Sequence, residues 1–201
     1  MVISLIGLVA GLIVAAAASA SIKAKTERVR TELGQLETAI EHYKLKLGYF
    51  PPDNPGNRAV NQLFYELTGT TNDSSGSTFY TFNGRTITAG AANSAFARKS
   101  FANCSADKSR VQNFFPTIKP KQYREISTGA GTAFVLAVPV EGPNEVPAVS
   151  GQPVNTWRYN SSNPVYNRES YDLWADIFIR GKTNRICNWK KTIDPNPQPY
   201  P

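Results

Sequence analysis

The stretch that decides the fold is Val29-Arg30-Thr31-Glu32-Leu33-Gly34-Gln35-Leu36-Glu37-Thr38-Ala39-Ile40-Glu41-His42-Tyr43-Lys44-Leu45-Lys46-Leu47-Gly48-Tyr49-Phe50-Pro51-Pro52. Val29, Leu33, Leu36, Ile40, Tyr43 and Leu47 step by 4, 3, 4, 3 and 4, which places them on one stripe of a helix that a globular head can cover. Glu27, Arg30, Glu32, Glu37, Glu41, Lys44 and Lys46 decorate the other face; they read as a solvated face and not as a site, with Glu41 a turn away from Lys44. The helix is expected to end near Gly48, and Pro51-Pro52 forbids its continuation because proline lacks the amide donor and clashes with the preceding turn.

Working upstream, no Pro or Gly interrupts residues 12 to 33, and Met1 to Ile22 hold no charged residue. The pattern predicts one helix of roughly 45 residues, about 70 Å at 1.5 Å per residue. Residues 1–22 are apolar all round and residues 23–50 are its amphipathic continuation. The first part is long enough to span a bilayer. Ala18-Ser19-Ala20 has the look of a signal-peptidase site, but a secretory leader carries a basic segment ahead of its apolar core and Met1 leads directly into hydrophobics. An apolar half of this kind must sit in lipid or against identical helices of neighbouring subunits. Met1, Leu5, Gly7, Gly11 and Ile13 are assigned to that core-forming half, with Gly7 and Gly11 at small-x-x-x-small spacing, which permits close helix approach.

Two passages are similar to the type IV pilin superfamily, and most closely to the major pseudopilin of type II secretion systems. The first is the helix end, Leu33-Gly34-Gln35-Leu36-Glu37-Thr38-Ala39-Ile40-Glu41-His42-Tyr43-Lys44, followed by Tyr49-Phe50-Pro51. The second comprises Trp157-Arg158-Tyr159, then Tyr171-Asp172-Leu173-Trp174, then Asn188-Trp189. The stretch from about 60 to 150 is unmatched. In that register Gly7 falls on the glycine of the family's membrane helix, and the usual Phe-Thr-Leu-Ile-Glu start is missing. A segment preceding Met1 is therefore expected; were Met1 itself the processed end, Leu5 would stand where the family has its acidic residue.

The resemblance implies an α+β fold, with a long pilin-like helix packed against an antiparallel β-sheet head (51–201) that carries an inserted loop-rich region. It also implies a structural subunit of a periplasmic or extracellular helical filament that polymerises with itself, is stored in a bacterial inner membrane before assembly, and is handled by a prepilin peptidase and an inner-membrane assembly platform. Alternatives are a minor tip pseudopilin and a membrane-anchored monomer that binds glycans or DNA. Major pseudopilins hold calcium between the positions of Asp176 and Trp189, but residues 177–187 contain no carboxylate and three basic side chains. Calcium takes six to eight oxygen ligands with some negative charge, so the calcium site is expected to be lost and no cofactor is expected.

Beyond Pro52 the chain breaks into short elements. Leu63 to Leu67 reads as a short helix, and Thr68 to Ser77 as a polar loop. Thr78 to Phe82, Asn83-Gly84 and Arg85 to Ile87 read as a hairpin with a type I′ turn. Phe134 to Val140, Trp157 to Tyr159 and Tyr171 to Ile179 are strands of a sheet laid on the helix. The tail from Asp194 to Pro201, rich in proline, is expected to be extended and free to lie against a neighbouring subunit.

The chain has 201 residues, sufficient for one domain and an appendage. Its net charge of +7, from 22 basic and 15 acidic residues, is spread along the chain and reads as a solubility feature. With one His and two Cys, a protein-only Cys/His zinc centre is excluded. His42 lies on the polar helix face without a catalytic partner, and Gly129-Ala130-Gly131-Thr132 lacks the Gly-Lys-Ser/Thr ending of a phosphate loop. No catalytic residue is assigned, and an enzyme is not expected. Aromatic residues interleaved with basic ones, as in Trp157-Arg158-Tyr159 and Trp189-Lys190-Lys191, could stack on sugars or single strands, but packing within the sheet is the expected role. Cys104 and Cys187 could form a redox pair, a metal pair or a disulfide; in a chain sent across a membrane a disulfide is expected. Closing that loop would contribute about 4 kcal/mol.

Overall fold

In a computed structural model of the protein, the backbone is described for residues 2–143 and 145–201, and side chains for residues 19–143 and 146–201. Helix α1 runs from Val2 to Leu47. The helix-core assignments on Met1, Leu5, Gly7, Gly11 and Ile13 concern side chains outside the described residues. Among the described residues, no helix is long and apolar enough to cross a membrane.

The stripe behaves as its period requires. Val29, Leu33, Leu36, Ile40 and Tyr43 are buried, and Leu47 is half-buried against the same core. Gly48 closes the helix in the left-handed region at φ 87°, its amide donating to the Lys44 carbonyl at 2.7 Å; glycine takes that conformation without steric cost.

The sheet beneath α1 has four antiparallel strands in the order β11, β10, β9, β8, namely Lys190–Pro195, Lys182–Cys187, Asp172–Ile179 and Arg158–Asn160. Strand β9 is central and buried along Asp172 to Ile177, and α1 touches both β9 and β10. After Ile179 the chain turns in a tight hairpin. Ile179 pairs with Lys182, and Arg180 and Gly181 both have positive φ, the type I′ pattern that matches strand twist.

The inserted region adds a second body of structure. Helix α2 (Leu63–Thr68) is wholly buried. Strands β1 (Thr70–Asn72), β2 (Thr78–Thr81) and β3 (Thr86–Thr88) form a small meander, so the expected loop at 68–77 contains a strand. The β2–β3 turn differs from the type I′ expectation: only Gly84 is left-handed, and Thr81 bonds the Arg85 carbonyl across a longer loop. Helix α3 (Ala89–Phe96) is capped by Thr88, whose hydroxyl accepts from the Ala91 amide. Strands β4 (Tyr123–Thr128) and β5 (Gly131–Leu136) form a hairpin, and Gly129-Ala130 is its turn, not a phosphate cradle. Strands β6 (Glu145–Val146) and β7 (Val154–Asn155) complete the set. The architecture is α+β, one long helix packed against antiparallel sheets.

Candidate functional site

The helix and the head meet at a buried carboxylate. Glu66, on α2, is fully buried. Its Oε1 accepts from the Ala102 amide at 2.8 Å, and its Oε2 accepts from the Asn103 amide at 2.9 Å and the Tyr43 hydroxyl at 2.9 Å. Burial pushes its pKa up, while those three donors pull it back. Asn103 returns the contact, donating its side-chain amide to the carbonyls of Glu66 and Gln112 at 2.7 Å each, and Phe101 stacks on Tyr65 at 4.6 Å. One carboxylate thus ties α1, α2 and the inserted region together.

This junction also corrects the cysteine assignment, since Cys104 and Cys187 are both free thiols. Cys104 bridges Thr70 at the edge of the β1–β3 meander. Cys187 ends β10, opposite Trp174 and Lys190 in the four-stranded sheet. Cys104 lies outside the strands, bridged to β1, while Cys187 lies in the four-stranded sheet. Burial drives the Cys187 thiol up to about 11, which disfavours the reactive thiolate.

The residues singled out near the C-terminal half form the floor under α1. Trp157, Tyr171, Asp172 and Leu173 are buried, which removes Trp157 and Tyr159 as stacking platforms for a ligand. Pro51 accepts on its carbonyl from the Tyr159 hydroxyl at 2.9 Å, fixing the turn after α1 to β8. Tyr49 stays half-exposed, edge-on to Tyr43 at 5.9 Å, and Trp189 stacks on Tyr166 at 4.4 Å. Buried Asn103 and Asn160 are poor acceptors for glycans, although both sit in Asn-x-Ser sequons.

The carboxylates at the two ends of the Asp172–Asp176 stretch are engaged by the protein itself. Asp172 accepts the amides of Val165, Tyr166 and Asn167 at 2.7, 2.9 and 2.8 Å. Asp176 holds a buried bidentate pair with Arg185 at 2.7 and 3.0 Å. Among the described residues, no group of three or more His, Cys, Asp or Glu is placed to hold a metal ion.

The tail is not free. Tyr200 stacks on Trp174 at 4.1 Å, donates to Asp172 Oδ2 at 2.6 Å and accepts from Asn160 Nδ2 at 2.9 Å. The Arg58 guanidinium lies 4.8 Å from its ring centroid, and Arg185 donates to the Gln198 carbonyl at 3.0 Å. The proline-rich segment therefore folds back on its own sheet, because one aromatic residue near its end finds a slot and a carboxylate.

No family model, no curated protein and no solved structure matches the chain.

Among the charged residues of the helix face assigned to solvent, one is buried. Glu32 is buried, with 7% of its surface exposed, and its Oε2 has no hydrogen-bond partner. It lines a groove of about 580 Å³ with Arg28, Gln35, Lys119 and Lys121. Burial raises its pKa to about 7 against the pull of Arg28, Lys121 and Lys119. The segment that covers it is anchored by Gln122, whose Nε2 donates to Gln35 Oε1 at 3.2 Å. Helical periodicity could not reveal this, because the cover comes from a loop some 87 residues away.

Proposed function

We propose that the protein is a structural subunit that polymerises through its N-terminal helix into a pilus-like or pseudopilus-like filament. The observation that carries this reading is the division of one helix. From Val29 onward its stripe is absorbed by the head, while the same helix continues back to Val2 through a sequence with no charged residue up to Ile22. The head absorbs the stripe of the second half, and an apolar, uncharged first half calls for lipid before assembly or sister helices afterwards. Head-to-tail packing that does not close on itself produces an open filament. The buried character of the aromatic residues and the engagement of Asp172 and Asp176 by the chain's own groups support a packing role over ligand chemistry.

The test is electron microscopy of material sheared from producing cells, with the subunit identified by mass spectrometry. Filaments built from this chain, and their loss in Gly7→Leu with the head still folded, are the expected outcome. A chain that stays monomeric in the membrane, or normal filaments from Gly7→Leu, would overturn the proposal or its helix-packing part respectively.

A further inference from the structure

The sequence places Lys23 and Lys25 directly after the uncharged segment, followed by Arg28 one turn on. The fold adds to them a second basic group that is remote in sequence. The segment before and into β4 returns to α1, so that Lys121 and Arg28 line one groove with Gln35 and Lys119 and an adjoining groove with Arg124 and Glu141. All six cations, Lys23, Lys25, Arg28, Lys119, Lys121 and Arg124, are exposed. The carboxylates around them do little to balance the charge. Glu27 is exposed but paired with Arg30 at 3.3 Å, Glu32 is buried beneath the segment, and Glu141 is exposed.

From this arrangement we infer that the base of the head is a basic collar that rests on the anionic phosphates of the lipid surface from which α1 emerges. The inference rests on the membrane reading of residues 1–22. Arg28 lies six residues beyond Ile22, about 9 Å along a helix. The headgroup layer occupies about 5 to 7 Å on each side of the hydrocarbon, and the surface field decays over about 8 Å at physiological salt. Lys23 and Lys25 thus stand in the headgroup layer and Arg28 in the field just above it, together with Lys121 and Arg124, which share its groove; there each Lys or Arg gains appreciably from anionic lipid. A uniformly charged helix exit would need only Lys23 and Lys25. The head's own contribution, Lys119, Lys121 and Arg124, fixes which side of the head faces the bilayer, because these residues lie on one flank of α1.

The test is hydrogen–deuterium exchange on the full chain reconstituted in vesicles of phosphatidylcholine alone or mixed with phosphatidylglycerol. Backbone amides of residues 118–124 are expected to exchange more slowly on the anionic vesicles by about fivefold or more, the factor one basic contact is worth there. High salt and the variant K119E/K121E/R124E are each expected to abolish the difference, and K119Q/K121Q to reduce it without reversing charge. Each variant should still unfold cooperatively in detergent, which shows that the head remains folded, since the residues are exposed. Equal exchange on both vesicles, with α1 inserted in both, overturns the collar and leaves the membrane reading standing. Protection that follows protein density and not lipid charge also overturns it, in favour of a contact between copies. Failure of the chain to insert into either vesicle overturns both readings.

Discussion

Replacing Glu66 tests the junction of helix and head directly. The carboxylate is fully buried and receives three donors, two backbone amides and one phenol, all within 2.8 to 2.9 Å. Glu66→Ala leaves the Ala102 and Asn103 amides without their acceptor in a dry site. Each orphaned donor costs about 1 to 3 kcal/mol, and the cavity adds to that, so a loss of about 4 kcal/mol is expected. Glu66→Gln keeps the shape but turns an NH2 toward a donor, so about half of that loss, some 2 kcal/mol, is expected. Tyr43→Phe removes a single hydrogen bond to a carboxylate and is expected to cost about 1.5 kcal/mol. Because Tyr43 and Glu66 share one bond, the double variant Tyr43→Phe/Glu66→Gln should lose less than the sum of the two. The assay is urea unfolding of the full chain in detergent followed by near-UV circular dichroism, with hydrogen exchange at residues 101–104 as a local readout. A Glu66→Ala variant within about 0.5 kcal/mol of wild type, the range of an ordinary surface change, would refute the assigned role of this carboxylate.

Three further outcomes follow from named contacts. Glu32 titrates near 7 when folded against an ordinary 4.5, so the folded state keeps a proton that the unfolded chain gives up. Stability from this group is present below about 4.5 and falls as pH rises to about 7, by up to about 3 kcal/mol; Glu32→Gln should remove that slope in unfolding measured from pH 4 to 8, as a difference from wild type, since Glu66 is shifted in the same direction. Tyr200→Ala should release the tail from Trp174 and Asp172, costing about 2 to 3 kcal/mol and exposing residues 196–201 to limited proteolysis, while Tyr200→Phe keeps the stacking and loses about half as much; equal protease resistance in all three would contradict the docked tail. Alkylation without reductant should label both cysteines after unfolding, and Cys104→Ser/Cys187→Ser should not show the loss of about 4 kcal/mol that a broken cross-link would bring; recovery of a Cys104–Cys187 disulfide peptide would refute the free-thiol assignment.

The long helix, its buried stripe, its end at Gly48 and the strands at 134, 157 and 171 were legible in the linear order of residues, but the first of these strands pairs with β4 in a sheet of its own instead of joining the other two. Period and punctuation are local properties: a stripe at 3.6-residue spacing has a buried face whatever covers it, and a glycine free to turn left-handed with two prolines just beyond it stops a helix by local sterics. Which neighbour supplies the cover is not local. Glu32 read as solvated because its own helix turns it outward, and only the return of the 117–122 segment buries it. Glu66 gave no signal in sequence, since its partners are backbone amides 36 and 37 residues away, and backbone donors carry no residue identity. The Cys104 and Cys187 thiols were alike as letters, yet the fold places Cys187 in the four-stranded sheet and Cys104 outside the strands, bridged to β1. The tail read as free because proline forbids regular structure, while the slot for Tyr200 is assembled from β8, β9 and the loop at Arg58. The chain order thus determined the elements and their buried faces, and tertiary packing decided which charges were desolvated, because desolvation depends on what arrives from elsewhere in the chain.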